Sequence, residues 1–343
     1  MARATKLKLV LLAAVLVAAD IALAYYYIVG RPKSGDVRPV LAVSSDSVAA
    51  DTAPIMPMPL VVARPPRYRV PSANPFFGTR FDYSHAVSGN IGSVKETQRV
   101  GAGILVDLDT HQVLWEKKGR TPVPIASMTK MMTCLLLFER MERDDSVSLD
   151  TWIPVTKAAS MVGESSVYLR ENETFQVRDY LKAVIIKSAN DAAFALGEYL
   201  GGGDIEKFIE MMNRRAAELG FEGAEFHTPN GLPDKKRREC MVSPEGMAIL
   251  AERLLEYPTY LDFSSDRGGK IRQMNYANTN HALLKVDGVD GMKTGFTNKA
   301  RSCVTVSCIR NGRRLVLVLT GMPSAADRTT CATKLLAWGF KRR

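Results

Sequence analysis

Histidine is scarce in this chain, with four among 343 residues, and cysteine is only slightly commoner at five. A thiol nucleophile needs a partnered imidazole. His85 falls in a proline-rich stretch and His111 in a turn, so a cysteine enzyme has little support. The spacing of Cys134, Cys240, Cys303, Cys308 and Cys331 matches no zinc pattern, and neither a metal nor a cofactor is expected. Their odd number leaves at least one thiol unpaired or pairing between chains, and Cys134, inside an apolar run, reads as a small buried hydrophobe. There is no internal repeat. Only one hydrophobic stretch approaches membrane length, which excludes a polytopic membrane protein. A hydrophobic share of 46% and a charged share of 24% exclude global disorder.

The net charge is +10. Residues 1–90 hold ten Lys/Arg against five Asp/Glu, so half the excess lies in the first quarter of the chain. The rest is too dilute for a nucleic-acid stripe, and no nucleic-acid partner is expected. A basic protein working near anionic polymer or lipid fits better.

Residues 1–30 carry a targeting signature. Arg3, Lys6 and Lys8 precede the apolar run Leu9–Ala19, and Ala22-Leu23-Ala24 offers a small-x-small cleavage site. The other reading is a retained anchor over Leu9–Val29, with Tyr25, Tyr26 and Tyr27 at the interface. Either way the bulk of the chain is expected outside the cytoplasm. The next stretch favours the anchor, because residues 31–93 read as a tether: Arg31–Asn90 holds nine of the 17 prolines and no helical period.

From Val94 to Arg343 the texture is that of a folded unit. Gly103–Asp107 and Gln112–Trp115 flank a turn at Asp109-Thr110-His111, and Ser302–Ile309 and Arg314–Thr320 flank Asn311-Gly312, so each pair predicts a hairpin. Between them lie helical patterns. Ser127–Met141 is apolar nearly all round and predicts a buried central helix. Asp204 opens and Gly220 closes another, and Ser243-Pro244 opens a third. Strands at both ends with helices between predict an α/β unit whose termini meet in one mainly antiparallel sheet.

Three short strings carry the chemistry. In Ser127-Met128-Thr129-Lys130 the hydroxyl and the amine are three residues apart, hence on one helical face. A neutral lysine can activate a hydroxyl, and a helix N-terminus or a second cation disfavours its ammonium form. Ser188-Ala189-Asn190 would put a hydroxyl and an amide on a tight turn between helices. Lys293-Thr294-Gly295 would put a cation, a hydroxyl and an open stretch of backbone on an edge strand. Each string alone has an ordinary structural reading: chance spacing, a capping loop, a solvated strand end. Together they form the trio of penicillin-binding proteins and class A β-lactamases, 61 and then 105 residues apart.

With these strings, the chain resembles the serine D-alanyl-D-alanine carboxypeptidases, the low-molecular-mass penicillin-binding proteins, from about Val94 to Phe340. The likeness extends to Pro124–Lys130, Val147–Asp150, Lys187–Ala192, His227–Leu232, Asn278–Asn280, Gly291–Gly295, Arg328 and Trp338-Gly339-Phe340. The resemblance implies a β-lactamase/DD-peptidase-like α/β fold, with a mainly antiparallel sheet flanked by helices and a helical subdomain. It implies removal of the terminal D-alanine from peptidoglycan stem pentapeptides through an acyl-enzyme. Ser127 would be the nucleophile and Lys130 its base, with Ser188 and Asn190 lining the cleft and Lys293 supporting proton transfer. Thr294 and Arg328 would receive the terminal carboxylate, and the backbone N–H groups of Ser127 and Phe296 would form the oxyanion hole. β-Lactam antibiotics are the implied covalent inhibitors, and the cell envelope the implied location. The inner membrane would be a partner through an uncleaved N-terminal segment.

Three other readings compete. A DD-endopeptidase on cross-links shares all the motifs. A class A β-lactamase would want a deacylating Glu in a Glu-x-x-Leu-Asn string, and Glu225 lacks that context. A non-catalytic β-lactam sensor need not keep Ser127, Lys130, Ser188 and Lys293 together. Two departures stand out. The chain stops at Lys341-Arg342-Arg343, without the β-rich domain and amphipathic C-terminal helix of many relatives, which points to N-terminal attachment. Arg301, after Ala300, stands where relatives usually have glycine.

Overall fold

A computed structural model describes residues 68–272 and 274–342. The expected signal or anchor, and the tether as far as residue 67, lie outside the described residues.

The two predicted hairpins form the centre of a six-stranded sheet. In chain order its strands are β1 (Val87–Ser88), β2 (Ala102–Asp107), β3 (Gln112–Lys117), β4 (Val289–Thr297), β5 (Arg301–Arg310) and β6 (Arg313–Met322). Their spatial order is β1-β3-β2-β6-β5-β4. β2 pairs antiparallel with β6, so the two ends of the unit do meet, and only β1 against β3 is parallel. Asn311-Gly312 makes the β5–β6 turn with both residues at positive φ, 50° and 80°, as a two-residue hairpin demands.

Strand alternation divides the interior into two layers. Ile104, Val106, Val316 and Val318 face a core built on helices α1 (Lys130–Arg143), α2 (Asn190–Leu200) and α4 (Pro244–Leu255). Leu105, Trp115, Leu315, Leu317 and Leu319 face the other core, closed by the C-terminal helix α5 (Ala325–Phe340). Helix α3 (Ile205–Glu218) starts at Asp204, whose carboxylate accepts from the Glu206 and Lys207 amides, and α4 starts at Ser243, which accepts from Gly246. All five cysteines are buried free thiols.

The tether ends earlier than expected. Residues 68–93 belong to the fold: Tyr68, Phe81 and Ile91 are buried, and Val87–Ser88 is a sheet strand. Arg69 grips Glu256 with Nη2 at 2.9 Å from Oε2, and the Val70 amide donates to the Glu256 carbonyl. Composition hid this segment, because isolated apolar residues among prolines carry no period.

Candidate active site

The first motif begins on a strained turn. Ala126 has φ +49°, rare for a residue with a Cβ, and a single 3₁₀ turn over Ala126–Thr129 feeds directly into α1. Two glycines make room for that turn. A Cβ on Gly231 (φ +83°) would lie 2.0 Å from the Ala126 carbonyl oxygen, and one on Gly295 would lie 3.1 Å from the Ser127 nitrogen. The strand β4 and the Ser127 backbone are therefore packed together at Gly295.

Lys130 is completely buried. Its Nζ lies 2.9 Å from Ser127 Oγ, 2.7 Å from Asn190 Oδ1 and 2.6 Å from the Asn230 carbonyl. Burial first, and then the neighbouring Lys293, hold its pKa well below the ordinary lysine value. A neutral amine has two N–H groups and one lone pair. Two carbonyl acceptors take the N–H groups, which leaves the lone pair for the hydroxyl of Ser127.

The second motif sits on a distorted helix end. Val177–Lys182 is α-helical, Ala183–Lys187 widens to a π turn, and Ser188 stands in left-handed backbone at φ 64°. Among the described residues no hydrogen bond joins Ser188 Oγ to Ser127 or Lys130; the motif reaches Lys130 through Asn190. Asn190 is itself fixed, its amide nitrogen Nδ2 donating to Gly163 O and its backbone N–H to Ser165 O. The buried Asp191 carboxylate holds the same loop, accepting from Ser166 Oγ and the amides of Val167 and Leu169.

Strand β4 is the sheet edge, as expected for the third motif. Lys293 is buried, donates to the Thr294 carbonyl at 3.0 Å, and is lowered to about 7 by burial, with Arg328 acting in the same direction. Thr294 Oγ1 donates to Thr279 Oγ1 at 2.7 Å. Arg328, on α5, is 6% exposed and donates to the Cys303 carbonyl, opposite Gly295 in the β4–β5 ladder. It has no carboxylate partner among the described residues, and burial lowers its pKa. Phe296 follows Gly295 with its ring 59% exposed. Glu225 is exposed and lies 3.2 Å from the His227 ring.

In the sequence, His227–Leu232 and Asn278–Asn280 stand out only as family likeness. Their contributions here are a backbone carbonyl at Asn230 and a hydroxyl at Thr279. Sequence reasoning misses Asp191 as the anchor of the loop; an acid at the first turn of a helix is its available signal.

A family model described as D-alanyl-D-alanine carboxypeptidase matches residues 91–324. The D-alanyl-D-alanine carboxypeptidase DacF of Bacillus subtilis is 31% identical over 246 residues, 70% of this chain and 62% of that protein. DacD of Escherichia coli, of the same description, is 33% identical over 251 residues, with the same two shares. The chain thus spans about three fifths of the length of these relatives. Among solved structures, penicillin-binding protein 6B of Escherichia coli is similar at a TM-score of 0.67 and 29% identity, covering 76% of this chain and 82% of that one. Ampicillin-bound penicillin-binding protein D2 of Listeria monocytogenes is similar at 0.64 and 27%, covering 71% and 98%.

Proposed function

The chain belongs to the D-alanyl-D-alanine carboxypeptidase family, and from that premise we propose that it removes the terminal D-alanine from peptidoglycan stem peptides by a serine acyl-enzyme route. The observation that carries this reading is the pairing of Ser127 with a buried lysine whose two other partners are both acceptors.

Ser127 Oγ attacks the carbonyl carbon of the penultimate D-alanine while its proton passes to the lone pair of Lys130. The backbone N–H groups of Ser127 and Phe296 receive the oxyanion, whose stabilisation is usually the largest catalytic contribution. Collapse breaks the peptide bond. The leaving amine takes a proton relayed from Lys130, with Ser188 on the path, and D-alanine departs. Water then attacks the ester and gives a proton to Lys130, which passes it to Ser127 Oγ as the ester C–O bond breaks and the shortened peptide leaves. Lys293 acts at a distance, keeping Lys130 neutral through repulsion and facing the substrate with positive charge. Asn190 lines the cleft and orients Lys130.

Arg328 favours exopeptidase over endopeptidase action. A buried guanidinium without a carboxylate is costly unless a ligand supplies one. The C-terminal carboxylate of the substrate, bound with Thr294, is that ligand. β-Lactams would acylate Ser127 in the substrate's place.

The setting is the cell envelope, where the substrate lies, with residues 1–30 as export signal or inner-membrane anchor. Among the described residues no helix is long and apolar enough to cross a membrane. The test is release of D-alanine from a peptide ending in D-Ala-D-Ala, set against a cross-linked dimer peptide. Cleavage of the dimer alone would replace this reading by the endopeptidase.

A further inference from the structure

One surface loop has both ends anchored in the site. It leaves from Asn230, whose carbonyl receives Lys130, and returns at Glu239, which is 5% exposed and accepts from Thr297 Oγ1 at 3.0 Å. Thr297 ends β4, directly after Phe296. Between these anchors the chain reads Asp234-Lys235-Lys236-Arg237-Arg238.

The loop is built, not frayed. The Asp234 carboxylate accepts from the Arg238 amide at 2.7 Å and from its Nε at 2.8 Å, and the Arg237 amide donates to the Asp234 carbonyl. The facing turn, Thr297 to Arg301, adds Lys299 and Arg301. Arg301 occupies left-handed backbone at φ 59°, and its Nη2 donates to the Pro323 carbonyl.

Of the acids in this region, Asp234 is paired with Arg238, while Glu239 accepts from the Thr297 hydroxyl and Glu225 lies against the His227 ring, so these last two offset part of the positive charge. Lys235, Lys236, Arg237, Lys299 and Arg301 are all exposed and in no ion pair among the described residues. Five exposed cations against two carboxylates without a Lys or Arg partner leave the rim beside the cleft net positive, a potential that draws in polyanions and is screened by salt.

We propose that this rim is a docking surface for a polymer bearing many carboxylates, the wall strand from which the scissile peptide hangs. The inference rests on the proposed substrate and extends it from the peptide end to the polymer behind it. Position favours this occupant over an anionic bilayer. The cations hang from loops whose ends are fixed in the catalytic site, and neither loop carries a large exposed apolar side chain; Phe296, on β4 beside them, is the one such side chain next to the rim.

The test measures retention of the full chain on immobilised wall strands, on the same strands with their carboxylates converted to amides, and on phosphatidylglycerol–phosphatidylcholine vesicles. Retention on native strands should weaken by about tenfold or more between about 20 and about 500 mM salt. The variant carrying Lys235→Gln, Lys236→Gln, Arg237→Gln and Lys299→Gln should weaken to a similar degree at low salt, with an unchanged melting curve. Amidated strands should retain little of the parent. Equal retention on amidated strands, a variant that loses vesicle retention while keeping strand retention, or a variant that binds the strands like the parent would each overturn the proposal. Retention needs no turnover. Salt-sensitive docking without D-alanine release would therefore refute the proposed activity and leave the docking surface standing, and D-alanine release with salt-insensitive retention would do the reverse.

Discussion

Lys130 Nζ donates to the backbone carbonyl of Asn230 at 2.6 Å, across 100 residues of sequence. A carbonyl can only accept, so this contact consumes one N–H of the amine whatever its charge. Asn190 Oδ1 consumes a second. What remains at Nζ is either a third N–H or a lone pair, and burial beside Lys293 favours the lone pair. The base is thus set by two amide oxygens and one neighbouring cation.

The first prediction concerns pH. Lys293 has its folded pKa lowered to about 7, below the unfolded value near 10.5. Between these values the unfolded chain binds the extra proton, so stability should rise with pH from about 7 toward 10, the cost of the buried ammonium being fully present below 7. Urea midpoints across that range should climb, and Lys293→Met should flatten the climb. The same variant removes repulsion from Lys130, so the acidic limb of the penicillin acylation rate should move to higher pH. An unmoved limb would detach Lys293 from Lys130.

Arg328→Ala separates function from stability. Loss of a charge-assisted contact of roughly 1.5–3 kcal/mol should slow cleavage of a D-Ala-D-Ala peptide by about one to two powers of ten. The slowing should be much smaller for a substrate whose terminal carboxylate is amidated. Removing an unpaired buried cation should leave the melting temperature level or raise it. Equal losses on both substrates would take Arg328 out of the carboxylate site.

Gly231→Ala and Gly295→Ala should fail in different ways. The first puts a Cβ 2.0 Å from a backbone oxygen at φ +83°, and strain of at least about 1–3 kcal/mol should appear as a lowered urea midpoint. The second meets the Ile125 carbonyl at 2.8 Å and the Ser127 nitrogen at 3.1 Å, so it pushes the reactive turn itself. Its larger effect should be on acylation rate. A Gly295→Ala enzyme that acylates normally would show that the turn tolerates displacement.

A chain cut at Val94 should be markedly less stable than one cut at residue 63. It loses buried Tyr68 and Phe81, the Arg69–Glu256 contact and a sheet strand. Deleting one large buried aromatic costs about 3–5 kcal/mol on its own. Equal urea midpoints for the two fragments would mean that residues 68–93 only decorate the surface.

Much of this was legible in the residues. The Ser127–Lys130 spacing predicted their contact through helical geometry, Asn311-Gly312 predicted its hairpin, and Asp204 and Ser243 predicted helix starts. Those features are local, and the chain states local geometry in its side chains. Asn230 contributes a carbonyl, which every residue has, so nothing in its side chain announced the role. The docking of residues 68–93 rests on isolated contacts such as Arg69 with Glu256, 187 residues apart, where no periodicity operates. The basic loop was diluted by averaging charge over the whole unit, and only the return at Glu239 brings its cations to the cleft.

The central claim, a serine nucleophile at residue 127 served by Lys130, is tested most directly by intact-mass and peptide-mapping mass spectrometry after exposure to benzylpenicillin. A single adduct should form, on the peptide containing Ser127. Ser127→Ala should carry none while melting like the parent, and Lys130→Met should fold but label slower by about two powers of ten or more. An adduct on any other residue, or one that persists in Ser127→Ala, would contradict that claim.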